Sequence, residues 1–241
     1  MLWTPEPRSA VIDVKTAIAS DERKDMRAAT ARSVATANVD SKLGLPRRLR
    51  RAELPVDTVG LARYLVGKTL VHSVAEGTLS GRIVETEAYV VGDAAAHAFR
   101  GLTPRNRSLF LERGYAYVYF VYGCWYMLNV SSERDGVGAG VLLRALEPLE
   151  GIALMQQDGR STKLRDVARG PGRLASAMQI TGRHDGLDLC ANGPLWLGTA
   201  LRPVGAIGES VRIGLTREAD RVLRFYERGS PFVSGPRRLL V

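Results

Sequence analysis

Hydrophobic and polar positions divide the chain at about residue 50. Before that point the apolar residues are small and scattered among Ser, Thr, Ala and charges of both signs, and only residues 20–37 carry a helical signal, without an apolar stripe. Residues 1–50 are therefore expected to be a mobile extension, followed by a folded domain over 51–241. From Leu54 the pattern sharpens. Residues 57–66 place Val59, Leu61, Leu65 and Val66 near one side behind an Asp57 N-cap, which predicts a helix. β-branched and aromatic runs bounded by Gly, Pro, Asp or Ser predict strands over 69–74, 81–91, 115–122, 125–131, 141–146, 195–197, 211–215 and 223–226. Helical pieces are expected at 103–111, 150–157 and 172–180. This order predicts an α+β fold, a single mixed domain on a curved, mostly antiparallel sheet.

Two strands carry residues that a core does not need. Strict alternation through 83–89 sets Ile83, Glu85, Glu87 and Tyr89 on one face and Val84, Thr86 and Ala88 on the other. Two carboxylates thus share a face with an aromatic ring, on a strand that runs into the turn holding His97. A partly desolvated carboxylate beside a ring is a general-base candidate. A lone histidine is more often structural, and no second one stands at metal-ligand spacing. In the second run Tyr115, Tyr117 and Tyr119 share a face that suits sheet packing, whereas Tyr122 falls at the tip of a hairpin and Asn129 sits mid-strand, where its amide needs a partner. Thr103-Pro104-Arg105-Asn106-Arg107 reads as a helix start with free N–H groups and two arginines, an anion site, and Arg173 follows a similar Gly-Pro-Gly start.

Composition narrows the partners. The 241 residues carry 34 Lys+Arg against 25 Asp+Glu, a net +9, and only five of the basic residues are lysines. An arginine excess suits phosphate and base edges, although a GC-rich genome produces the same bias. Residues 1–50 hold ten basic and six acidic residues, so the domain is only moderately basic. No apolar run nears the roughly 20 residues that span a bilayer, and Cys124 and Cys190 stand far apart, outside any C-x-x-C. A cytoplasmic protein without membrane, metal or cofactor is expected, nucleoid-associated if bacterial.

The ordered motifs Glu85-Thr-Glu-Ala-Tyr89, Ala95-Ala-His97, Thr103-Pro-Arg-Asn-Arg107, Tyr117-Val-Tyr-Phe-Val-Tyr-Gly123, Leu128-Asn-Val130, 141–150, Gly170-Pro-Gly172 and 224–233 resemble the alkyladenine (3-methyladenine, methylpurine) DNA glycosylases over about 54–235. The resemblance implies a fold similar to the carboxy-terminal domain of methionyl-tRNA formyltransferase, and double-stranded DNA containing damaged purines as the partner of a monomer. It also implies roles. Glu87 matches the base that activates water, with Arg144 beside it. Tyr89, His97 and Tyr119 match the walls around an extruded base, Tyr122 the wedge that fills its place in the stack, and Asn129 the amide that disfavours the 2-amino group of guanine. Arg105, Arg107 and Arg173 remain the phosphate contacts. Met127 stands where the family often has Cys and would reshape the pocket floor; Cys124 and Trp125 also depart at the tip, and the loop 133–140 is slightly longer. With no lysine in the motifs, a monofunctional enzyme is implied, releasing 3-methyladenine and 7-methylguanine, with hypoxanthine and ethenoadenine as further candidates. A noncatalytic nucleic-acid-binding domain of the formyltransferase type would need neither Glu87 nor His97. Sugar hydrolysis by two carboxylates fits poorly, because Glu85 and Glu87 share one strand instead of flanking a cleft.

Overall fold

The computed structural model describes residues 44–157, 159 and 161–240. The compact unit spans Leu45–Val241. It begins before the expected boundary at 51, because Leu49 is buried and its N–H bonds to the Leu197 carbonyl. The expected extension and its helix at 20–37 lie outside the described residues.

Eight strands form one sheet, β1 (Thr69–Val74), β2 (Gly77–Tyr89), β3 (Ala116–Val121), β4 (Trp125–Ser131), β5 (Gly140–Glu150), β6 (Leu195–Gly198), β7 (Ile207–Ser210) and β8 (Arg224–Glu227). The main order is β3-β4-β5-β2-β1-β6, with β7 and β8 joined through β2, and every pairing is antiparallel. The expected mixed α/β domain with a curled antiparallel sheet is what forms. β2 is its hinge: one half pairs with β1, the other with β8, and β5 runs along nearly all of it. Residues 85–87 therefore have a strand on each side, which is how two glutamates come to be fully buried.

Helix α1 (Thr58–Leu65) starts where Asp57 accepts from the Gly60 N–H at 2.6 Å, and it packs Leu61, Ala62 and Leu65 against the sheet. Helix α2 (Ile152–Met155) is a single turn, and α3 (Pro171–Ala177) begins at proline as expected and covers β4 and β5. Two expected elements fail. Residues 103–111 form only a short 3₁₀ turn, Arg107–Phe110. The cause is Asn106, which is buried: its Oδ1 accepts the Thr103 N–H at 2.7 Å, while Nδ2 donates to the carbonyls of His97 at 2.9 Å and Gly101 at 3.0 Å. Side-chain bonds of this kind hold a turn that competes with helix. The helix-start anion site at Thr103 consequently does not form. The strand expected at 211–215 lies earlier, as β7, because Arg212 and Ile213 turn their polar groups toward β2 instead of a neighbouring strand.

Alternation along β2 is also interrupted. Ile83 belongs to the main core, as does Ala88, and the Thr86 hydroxyl donates to the Ala62 carbonyl in α1. Val84 instead joins Ala145, Tyr226 and Val233 in a second cluster, and Glu85 and Glu87 meet Arg144. Ile83 is thus not on the carboxylate face, nor Val84 on the other. The pairing with β5 shifts between Ile83 and Thr86 and recovers by Leu143, so Val84–Glu85 lie against Arg144–Ala145 as a matched irregularity in both strands.

Candidate active site

At the end of β2 opens a cavity of about 220 Å³. That is below the roughly 300–1,000 Å³ of pockets for drug-sized ligands and suits a single flat ring system. Tyr89, His97, Tyr119, Tyr122, Met127, Asn129 and Arg144 all line it. Seven of the residues singled out in the sequence therefore meet, brought from β2, β3, β4, β5, the turn after β2 and the turn between β3 and β4.

Glu87 stands behind this lining with no solvent exposure. Its Oε1 accepts the Ile213 N–H at 2.8 Å and faces Arg144 Nη1 at 3.1 Å, and its Oε2 accepts the Tyr89 hydroxyl at 3.1 Å. With two lone pairs per oxygen, Oε2 keeps one free. Burial raises the Glu87 pKa above the ordinary carboxylate value, against the pull of Arg144 and the Ile213 N–H. Neighbouring groups confirm the dryness of the site. The Tyr89 hydroxyl is pushed up by burial and then by Glu87, and Tyr119 is pushed up to about 12, first by burial.

The aromatic wall is assembled by the two-residue period along one strand. Tyr117 and Tyr119, two apart on β3, stack with centroids 5.4 Å apart, and His97 lies edge-on to Tyr119 at 4.5 Å. His97 Nδ1 and the Tyr117 hydroxyl share a hydrogen bond of 2.9 Å. Burial, then Arg105, lowers the His97 pKa and keeps the imidazole neutral near pH 7. Across the hairpin Met127 is the partner of Tyr119, whose hydroxyl donates to its sulfur at 3.3 Å. Asn129 is buried and donates to the Tyr117 carbonyl at 3.3 Å, which satisfies part of the amide and leaves it on the cavity wall.

Tyr122 occupies the turn between β3 and β4, where the Cys124 N–H bonds to the Val121 carbonyl. It is 79% exposed and has φ +55°, followed by Gly123 at +69°. A bulky residue in the left-handed region is strained, and such strain concentrates at functional positions. The three candidate phosphate arginines are exposed and none lines the cavity: Arg105 donates to the Phe120 carbonyl, Arg173 to that of Asp166, and Arg107 opens the short 3₁₀ turn.

Other site residues escape a reading by alternation. Arg212 is buried over the Tyr89 ring at 4.6 Å and paired to Asp93, with Nη2 3.1 Å from its Oδ1. Arg224 on β8 is buried and donates to Glu85. Charged residues inside otherwise apolar segments were the available signal. Among the described residues no cluster of His, Cys, Asp or Glu could hold a metal ion.

Comparison with known proteins gives the family. A model of the family described as Methylpurine-DNA glycosylase (MPG) matches residues 52–231. A relative from Mesorhizobium japonicum is 64% identical over 191 residues, covering 79% of this chain and 92% of its own. One from Paraburkholderia phytofirmans is 55% identical, with 80% and 91% covered, and one from Methanocella arvoryzae 44% identical, with 73% and 90% covered. Each carries the name "Putative 3-methyladenine DNA glycosylase". On the extent of the match and the identity of these relatives, the chain belongs to the methylpurine-DNA glycosylase family.

Proposed function

We propose that this protein is a monofunctional DNA glycosylase that extrudes an alkylated purine from duplex DNA and hydrolyses its N-glycosidic bond, acting on 3-methyladenine and 7-methylguanine and also on hypoxanthine and ethenoadenine. The observation that carries this reading is a fully buried carboxylate, with one lone pair free, behind an aromatic cavity whose mouth carries an exposed, strained tyrosine.

Extruding a base costs a few kcal/mol, and Tyr122 offsets part of that by filling the gap it leaves. A purine alkylated at N3 or N7 is cationic, hence a good leaving group that the faces of Tyr89 and Tyr119 attract. His97, held neutral, adds no opposing charge, and its backbone N–H is available to the base. Glu87 Oε2 accepts a proton from the water that attacks C1′, and its charge stabilises the sugar as positive charge develops there. The Tyr89 hydroxyl moves aside as the base enters and opens Oε2 to that water. Among the described residues no lysine lines the cavity to form a Schiff base with the sugar, and the strand stays intact. Asn129 opposes the 2-amino group of normal guanine, and Met127 reshapes the floor, which sets how ethenoadenine ranks among the substrates. Arg105, Arg107 and Arg173 contact phosphates, which makes binding fall with salt without adding lesion specificity. The sheet and helices are read as the formyltransferase carboxy-terminal type of fold, in a monomer.

Single-turnover assays on duplexes carrying a 3-methyladenine analogue, 7-methylguanine, hypoxanthine or ethenoadenine test the reading. Free base without strand breakage supports it, and no release from any of the four overturns it.

A further inference from the structure

Behind Glu87 lies a buried charge cluster larger than base catalysis requires. Glu85 Oε1 accepts two guanidinium Nε–H groups, from Arg144 at 2.9 Å and from Arg224 at 2.7 Å, while its Oε2 accepts the Ser234 N–H at 2.7 Å. Arg224 is held further by the Ser210 hydroxyl at 2.7 Å and the Ser234 carbonyl at 2.9 Å. Because Glu85 takes the Nε edge of Arg144, only Nη1 faces Glu87. A guanidinium free to turn would offer its two-nitrogen fork to that carboxylate, bind it more strongly and weaken it as a base.

We infer that Glu85 and Arg224 are positioning residues that act through Arg144, holding its guanidinium in a one-nitrogen contact and balancing the charge around Glu87, so that they set the pH at which Glu87 becomes a base. This rests on the reading of Glu87 as the water-activating group.

Two carboxylates and two guanidiniums make the quartet neutral. The other groups facing Glu87 are the Tyr89 hydroxyl from β2, Tyr119 from β3, the Ile213 N–H after β7, and Arg212, whose charge Asp93 cancels. Arg224 is the Cα partner of Glu87 across β8. Removing either outer member therefore leaves an uncompensated charge in a dry site, with opposite sign for the two residues.

The test is the acidic limb of single-turnover base release from a duplex carrying one 7-methylguanine, whose positive charge is constant over that limb. Glu85→Gln leaves excess positive charge and moves the limb down by about one pH unit or more, Arg224→Gln moves it up by a similar amount, and the double variant returns to within about half a unit of wild type. Limbs that stay in place while the melting temperature falls, or that move in the same direction, overturn the inference. Neutralising both partners is better tolerated than breaking a buried pair. Where a single variant does not fold, Glu85→Asp keeps charge and loses reach: Arg144 is freed to turn its fork toward Glu87, so the limb moves down and the plateau rate drops about tenfold or more, and the plateau drops likewise in Arg224→Lys. A wild-type plateau in both overturns the positioning role. If the wild-type protein releases no base, or Glu87→Gln releases it normally, the underlying functional reading fails instead.

Discussion

Strand β2 carries two buried Arg–Glu arrangements, at Arg82 and five residues on at Glu87, and they differ in how completely charge is satisfied. Arg82 meets Glu227 through two bonds of 3.0 Å, and the pair is closed further by the Gly67 carbonyl at 2.9 Å and the Gly205 N–H at 3.3 Å. Burial works to raise the Glu227 pKa, but the bonds from Arg82 and Gly205 outweigh it, and the carboxyl ends below its ordinary value. Glu87 lies deeper, with one guanidinium nitrogen and a free lone pair, and its pKa ends above the ordinary value. A saturated pair is cement, whereas an unsaturated carboxylate is held in readiness. Depth of burial and the count of donors together separate them.

Exchanging the two by substitution gives the largest expected effect. Glu87→Gln lowers single-turnover base release by at least about 100-fold while DNA binding by fluorescence anisotropy persists. Unchanged release would erase the distinction between the sites. Glu227→Gln should do the reverse, destabilising the domain by about 3–5 kcal/mol in urea unfolding because Arg82 is left buried and unpaired, with the acidic limb of activity unmoved. Tyr122→Ser touches neither site and removes only the stacking of the wedge, worth about 1–3 kcal/mol, so the flipped-base signal of a fluorescent purine analogue drops roughly tenfold or more. Equal fluorescence in both proteins would remove Tyr122 from the mechanism.

Smallest is a difference in stability with pH. Glu87 is raised on folding, so the folded state binds the proton more readily than the unfolded chain does, and stability falls as pH rises from the ordinary carboxylate range through its folded value. Glu227 is lowered, so its contribution is present above that range and disappears as pH falls through its folded value. Glu87→Gln is therefore expected to be more stable than wild type at pH 7, by about 1.4 kcal/mol per unit by which the folded pKa is raised, with the gap closing below about pH 4. A constant gap across pH would mean that Glu87 carries no such penalty.

Much of the site was legible because its residues violate local rules. Two glutamates in a strand, an amide in mid-strand and an aromatic at a hairpin tip each lack a good packing reason, and all of them meet at the cavity or directly behind it. β4 was also readable to the residue, since Trp125–Ser131 is apolar and well bounded. What alternation missed was set by tertiary hydrogen bonds. Asn106 dissolves a helix that Thr-Pro-x-Asn signals, and the Ile213 N–H leaves the sheet for a carboxylate 126 positions away in sequence. The faces of Ile83 and Val84 depended on an irregularity whose other half lies in β5.

That paired irregularity also decides where β2 can change length. Because Val84 and Glu85 follow one another on the carboxylate face, losing Val84 alone would restore strict alternation in β2, with Thr86 inward and Glu87 toward the cavity, and leave the extra residue of β5 as an ordinary bulge. A matching loss at Arg144–Ala145 would restore a regular ladder with Glu87 and Tyr89 still in place. A change of length is thus absorbed at this one place, whereas losing a residue between Thr86 and Tyr89 would turn the side chains beyond the gap to the opposite face.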